Sequence, residues 1–244
     1  MSNCILSIDI GVLNLAICCV KKLENLYEIV AWNLINVMET PNLESLTCNY
    51  GCKQKAYSTT DGENLCIRHA KKKEKVVMKP KKVKIKNLCV QELVFNLLNA
   101  LDKLTAENQT IWNLVTAIVI EKQPIENKKM QMVSHIVLGH FVRYFNNSIP
   151  ISLMPAYHKL NVYNGPVIIC NLKTKYAQRK YIGVQQTQWF LQNEVFSNEK
   201  WLTIFNNSKK KDDLADSFLQ AIFSLKPSYI KQNKRVYKKR KLRY

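Results

Sequence analysis

The sequence contains no apolar run of the ~18 residues that a membrane-spanning helix needs. Its longest candidates, around Ile5–Val20 and Leu114–Ile120, are too short or interrupted. No basic region precedes the apolar stretch in MSNCILSIDIG, so neither a secretory nor a mitochondrial leader is expected. No internal repeat is visible. Acid is scarce: 18 Asp and Glu stand against 37 Lys and Arg in 244 residues, so the position of each acid carries weight.

What is present is positive charge, unevenly spread. The net charge is +19. Residues 71–86 hold nine lysines and one glutamate, and residues 226–244 hold nine Lys or Arg and no acid. Outside those segments, 19 basic residues face 17 acidic ones, which describes an ordinary globular body carrying two basic patches. Such patches bind phosphates by releasing counterions. A solubilising tail or a nuclear-import signal is the other reading.

Eight cysteines in a chain without a leader argue against a disulfide framework. Cys4, Cys18, Cys19, Cys89 and Cys170 sit among apolar neighbours and read as small core residues. Cys48, Cys52 and Cys66 do not.

The apolar pattern predicts a mixed α/β sheet with helices on both sides. Two strands joined by a tight turn at Gly11–Asn14 fill residues 3–22, and a third runs over 27–37. Residues 40–72 show neither helical nor strand periodicity and read as an insertion that leads into the Lys-rich connector. The spacing of Leu88, Leu93, Leu97, Leu101 and Leu104 predicts a helix. VTAIVIE (115–121) reads as a buried strand stopped by Pro124; a helix over 127–146 and a fifth strand over 149–154 follow. Residues 155–170 read as a loop. Helices are expected over 173–193, 194–205 and 211–225. The domain plan is a core of 1–39 and 87–225, an insertion at 40–86 and a basic tail at 226–244.

Four acids stand out by position. Asp9 lies inside an apolar strand and Glu121 ends another. Asp213 and Asp216 are three apart on a helix and share a face. A carboxylate within a buried strand is costly unless it is paired or metal-bound. Phosphodiester cleavage by two Mg²⁺ ions about 4 Å apart uses such a set, because Mg²⁺ takes hard oxygen ligands. The bland alternative has Asp9 capping a turn and the helical pair facing solvent. Asp212 reads as an acid placed to favour the helix dipole.

Three of these segments resemble one family in order and spacing. SIDIGVLNLAI looks like the first strand and turn of RuvC-type resolvases, with Asp9-Ile10-Gly11 at its centre. IVIEKQP resembles the second acidic motif of the poxvirus Holliday junction resolvases, carried here by Glu121, Gln123 and Pro124. KKDDLADSF resembles their closing Asp-x-x-Asp helix, and TKYAQRKYIGVQQTQWFL resembles the segment before it. The match covers residues 3–37 and 110–225.

The resemblance implies an RNase H-like core with a five-stranded mixed sheet. It implies a homodimeric, Mg²⁺- or Mn²⁺-dependent endonuclease that makes symmetric paired nicks in four-way DNA junctions, with two ions per site. Asp9, Glu121, Asp213 and Asp216 would be the metal ligands. Lys210 or Lys211 would contact phosphate, and Arg179 and Lys180 would grip the junction arms. Viral genome recombination or concatemer processing in a cytoplasmic factory is the implied setting; the basic tail leaves the nucleus open as a second location. The insertion and the tail depart from the compact family pattern and leave the substrate open. Another RuvC-like nuclease, such as a transposase or a flap or branched-DNA nuclease, or a non-catalytic zinc-containing DNA-binding protein, are the alternatives. No membrane and no small-molecule substrate are expected.

Within the insertion, Cys48-x3-Cys52 precedes Cys66-x2-His69 by thirteen residues. Two close ligand pairs across a short loop are the spacing of a structural Zn²⁺ site. Gly51 would let the backbone turn toward the ion, and Tyr50 and Tyr57 would pack around it. With the lysine run, this knuckle would form a nucleic-acid clamp, or else a protein-binding element. His135 and His140 are five apart and read as packing or surface residues; His158 is unassigned.

Overall fold

Asp9 is the last residue of a strand whose six positions are all buried. The computed structural model describes residues 3–38, 47–52, 54, 58–60, 63–73, 88–226 and 229. Most of the lysine run, Tyr57 and nearly all of the basic tail lie outside the described residues.

Strands β1 (Cys4–Asp9), β2 (Asn14–Lys22) and β3 (Tyr27–Asn36) form an antiparallel meander, with Asp9 opposite Ala16. The β1–β2 turn requires glycine. A Cβ on Gly11 would stand 2.3 Å from the Asn14 carbonyl oxygen. A short hairpin, β4 (Ser58–Thr60) and β5 (Glu63–Leu65), and helix α1 (Ile67–Lys72) follow. These elements correct the reading of residues 40–72 as irregular; strands of three residues are too short to show periodicity.

Helices α2 (Val90–Glu107) and α3 (Gln109–Trp112) lead to β6 (Ala117–Lys122), α4 (Lys128–Tyr144) and β7 (Ile151–Pro155). A 3-10 helix (Ala156–Val162), then α5 (Lys175–Asn193), α6 (Glu199–Asn207) and α7 (Lys211–Ser224), complete the order. The 3-10 helix replaces the first half of the loop expected over 155–170. Its seven residues give little room for a repeating stripe. Cys89 corrects another expectation: it is exposed just before α2, whose buried stripe begins at Leu93. Cys170 is half-buried rather than in the core.

The sheet order is β3-β2-β1-β6-β7, with β6 and β7 parallel to β1. It is the mixed five-stranded sheet flanked by helices that the sequence pattern predicts. Residues 1–37 and 94–244 make up one unit, and residues 38–93 a second.

Period-two alternation assigns the sheet faces. Ile5 and Val119 point to the face covered by α5, α6 and α7, and Asp9 and Glu121 share it. Trp32 anchors α7 there. Its ring stacks 5.4 Å from Phe205 and lies 5.5 Å from Phe218, and its indole N–H donates to the Leu214 carbonyl at 3.1 Å. Truncating a fully buried Trp costs about 3–5 kcal/mol. Gln220, also on α7, donates from its side-chain amide to the carbonyls of Ile8 (3.2 Å) and Val119 (3.1 Å). These interactions fix the helix carrying Asp213 and Asp216 against the two strands carrying the other acids.

Candidate active site

Parallel pairing of β1 and β6 runs as far as Ile8 opposite Ile120, so Asp9 and Glu121 stand side by side one residue later. Both sit at the carboxyl ends of adjacent parallel strands, where open α/β sheets place their ligands. Asp216 approaches from α7. The three carboxylates converge on one cation, the ammonium of Lys159. It lies 2.7 Å from Asp9 Oδ1, 3.0 Å from Glu121 Oε1 and 3.2 Å from Asp216 Oδ2. Lys159 is 2% exposed. It is delivered by the 3-10 helix that follows β7.

The electrostatics follow from burial and from an excess of anions. Burial pushes the Asp9 carboxyl well above its usual range; Lys159 pulls it down, while Glu121 and Asp216 push it up further. Asp216 is also raised, by burial and by Glu121, despite Lys159. Glu121 goes the other way. Burial raises it, but Lys159 and a 2.9 Å hydrogen bond from the Gln123 amide bring it below the usual value. Burial disfavours the charged ammonium of Lys159, and the three carboxylates more than reverse that effect. One ammonium therefore answers three carboxyl groups, which together form a cluster of hard oxygen donors. That donor set fits Mg²⁺ or Mn²⁺.

Asp213 does not join the trio at the ammonium. It lies one turn earlier on α7, 3.7 Å from Lys210 Nζ, and burial and neighbouring Asp212 raise its pKa. Asp212 does more than complement a helix dipole: it pairs with Lys180 of α5, which also lies 5.1 Å above the Tyr176 ring. Arg179 is exposed, as is Lys210 at the amino end of α7; Lys211 is half-buried. His140 pairs with Asp102 at 3.6 Å and stacks on Tyr144; His158 stacks on Phe223.

Sequence reasoning missed Lys159 and Gln220. Both lie far along the chain from the strands they serve, in segments that read as loop and as ordinary helix. The signal in the sequence was weak: one lysine in the apolar-flanked stretch that follows a parallel strand.

In the other unit, the four donor atoms of Cys48, Cys52, Cys66 and His69 all lie within 4.8 Å of one another, the one such group among the described residues. Burial pushes the Cys48 thiol up, but hydrogen bonds involving the Cys66 and Tyr50 backbones, His69 and Cys52 prevail and bring it down to about 6.

No protein-family profile matches the chain. A protein of Acanthamoeba polyphaga mimivirus is 29% identical over 154 residues, which are 58% of this chain and 36% of the relative. The chain therefore spans about a third of the length of that curated relative. Among solved structures, the yeast mitochondrial Holliday junction resolvase Ydc2 aligns over 96% of this chain and 85% of its own, with TM-score 0.51 and 18% identity. The fowlpox virus resolvase, solved with its substrate Holliday junction DNA, aligns over 91% and 96%, with TM-score 0.47 and 13% identity. Thermus thermophilus RuvC, in complex with a Holliday junction substrate, aligns over 94% and 95%, with TM-score 0.45 and 9% identity.

Proposed function

We propose that this chain, whose RNase H-like fold is shared with the yeast Holliday junction resolvase, is a metal-dependent endodeoxyribonuclease that resolves four-way DNA junctions. The observation that carries this reading is the convergence of Asp9, Glu121 and Asp216 on one buried point at the carboxyl edge of the sheet. Asp9, Glu121, Asp216 and Asp213 would hold two Mg²⁺ or Mn²⁺ ions. Bound there, such ions supply Lewis acidity for the attacking water and for the leaving oxygen.

The protein's own residues do the rest. Gln123 orients the Glu121 carboxylate, and Gln220 and Trp32 hold α7 in register with the strands. Lys159 keeps the carboxylates together, and with those carboxylates holding ions its ammonium would be available to the scissile phosphate. Lys210 and Lys211 at the start of α7, with Arg179 and Lys180 on α5, contact neighbouring phosphates. These contacts position the DNA and do not read its sequence. A twofold homodimer suits a substrate that presents two symmetry-related strands. The proposed setting is viral genome recombination or concatemer processing, in a cytoplasmic viral factory or in the nucleus.

Nicking of a mobile four-way junction, a linear duplex, a flap and an RNA–DNA hybrid, each with and without Mg²⁺, tests this reading. Paired, Mg²⁺-dependent nicks on the junction are expected. Equal rates on all four substrates point to a different RuvC-like nuclease. No cleavage in any divalent metal points to a DNA-binding protein.

A further inference from the structure

We propose that Cys48, Cys52, Cys66 and His69 bind one structural Zn²⁺ ion and that this ion ties the Cys48–Cys52 turn to β5 and α1. The inference stands apart from the nuclease reading and uses none of its residues.

Four of the six donor–donor distances are close to those of a tetrahedral zinc shell, and the other two are no longer than 4.8 Å. Zinc bonds of about 2.3 Å to sulfur and about 2.0 Å to nitrogen put adjacent donors about 3.5–3.8 Å apart. His69 Nδ1 lies 3.3 Å from Cys48 Sγ, 3.4 Å from Cys66 Sγ and 3.7 Å from Cys52 Sγ. Cys52 and Cys66 are 3.7 Å apart, an ordinary sulfur–sulfur edge for that tetrahedron and too far for a disulfide. Three soft thiolates and one imidazole select zinc over the hard cations suited to carboxylates. With four protein donors the shell is closed, which marks a structural ion.

The surrounding backbone is shaped to present those donors. Gly51, at φ +65°, turns the chain between the first two cysteines, and its N–H donates to the Cys48 carbonyl at 3.2 Å. Asn49 N–H donates to the Asn64 carbonyl at 2.9 Å, and Asn64 N–H returns to the Asn49 side chain at 3.2 Å, tying this turn to β5. Cys66 precedes α1, and His69 lies in the first turn of that helix. Tyr50 packs 4.8 Å from the His69 ring and is covered by Lys73. Apart from the cysteines, the buried apolar residues described in 48–73 are Leu65 and Ala70. Two such side chains make no self-sufficient core, so metal binding would supply the missing folding energy.

The test is metal analysis of the full chain, purified under reducing conditions and desalted, with hydrogen exchange before and after chelation. The expected result is about one zinc per chain. Co²⁺ exchange is expected to give tetrahedral d–d and thiolate charge-transfer absorption. Chelation should raise exchange in the Cys48–Cys52 turn, β5 and α1 while β1 and β6 stay protected. His69→Ala should lose the ion, and His69→Cys, which restores a fourth soft donor, should keep it. Less than about half an equivalent of zinc in the wild-type protein, or unchanged zinc content in both His69→Ala and Cys66→Ser, overturns the proposal. Loss of zinc with junction nicking intact leaves the nuclease reading standing. Zinc bound in a protein that cuts no DNA leaves this one standing.

Discussion

The Lys159 ammonium and the Asp9 carboxylate meet at 2.7 Å, although 150 positions separate them in the chain. The pair lies at the centre of the acidic cluster and sets what removing either partner does. Lys159→Met would leave three carboxylates facing one another without a cation. Breaking a buried ion pair costs about 3–5 kcal/mol. We expect the metal-free variant to lose that much in denaturant unfolding, and Mg²⁺ to raise its melting temperature more than it raises that of the wild type. Equal Mg²⁺ shifts in the two proteins would show that Lys159 and the ion do not compete for the same carboxylates.

Proton binding would oppose metal binding at these carboxylates, because burial shifts two of the three upward. Asp9 and Asp216 have raised pKa values, so the folded protein retains protons that the unfolded chain gives up once pH passes the ordinary carboxylate range. Their contribution to metal-free stability therefore declines as pH rises through that window. Glu121 is lowered; its contribution is present above its ordinary value and lost as pH falls through its depressed one. Mg²⁺ bound at these carboxylates would have to displace the retained protons. Calorimetric titration in two buffers of different ionisation enthalpy should report proton release and tighter Mg²⁺ binding with rising pH. Pure pH independence would contradict this.

Gln220→Met removes the buried amide that donates to the Ile8 and Val119 carbonyls. Such a change costs about 1–3 kcal/mol. Because the same side chain sets α7 against β1 and β6, we expect the nicking rate to fall as well, with junction affinity retained. A variant destabilised to that extent but fully active would place the control of acid geometry elsewhere, with Trp32.

The basic residues around α5 and α7 are expected to contribute through phosphates. Alanine at Lys210, Lys211 or Arg179 should weaken junction binding evenly across sequences. Each such change should also flatten the salt dependence by about one unit of slope for every phosphate left without its cation. Lys180→Ala should also destabilise the fold, because Lys180 pairs with Asp212. An unchanged salt slope would remove these residues from the DNA surface.

The sheet and the acids were legible in the sequence because each has a local signature. An apolar strand interrupted by Asp9 stands out, as does a β-branched run that ends in Glu121. The Cys/His spacing was legible for the same reason. Lys159 was not, because its role depends on how a short 3-10 helix folds back over the strand ends, and no periodicity encodes that. Gln220 reads as one more polar residue on a helix until its two strand carbonyls are seen. Asp213 and Asp216 share a helical face in the sequence, yet only Asp216 reaches Lys159.

The decisive comparison sets wild-type against Asp9→Asn protein on a four-way junction, recording binding and Mg²⁺-dependent nicking together. Junction binding is expected to survive while nicking is abolished. An Asp9→Asn protein that cuts at the wild-type rate would contradict the assignment of the buried acids as the metal-binding centre.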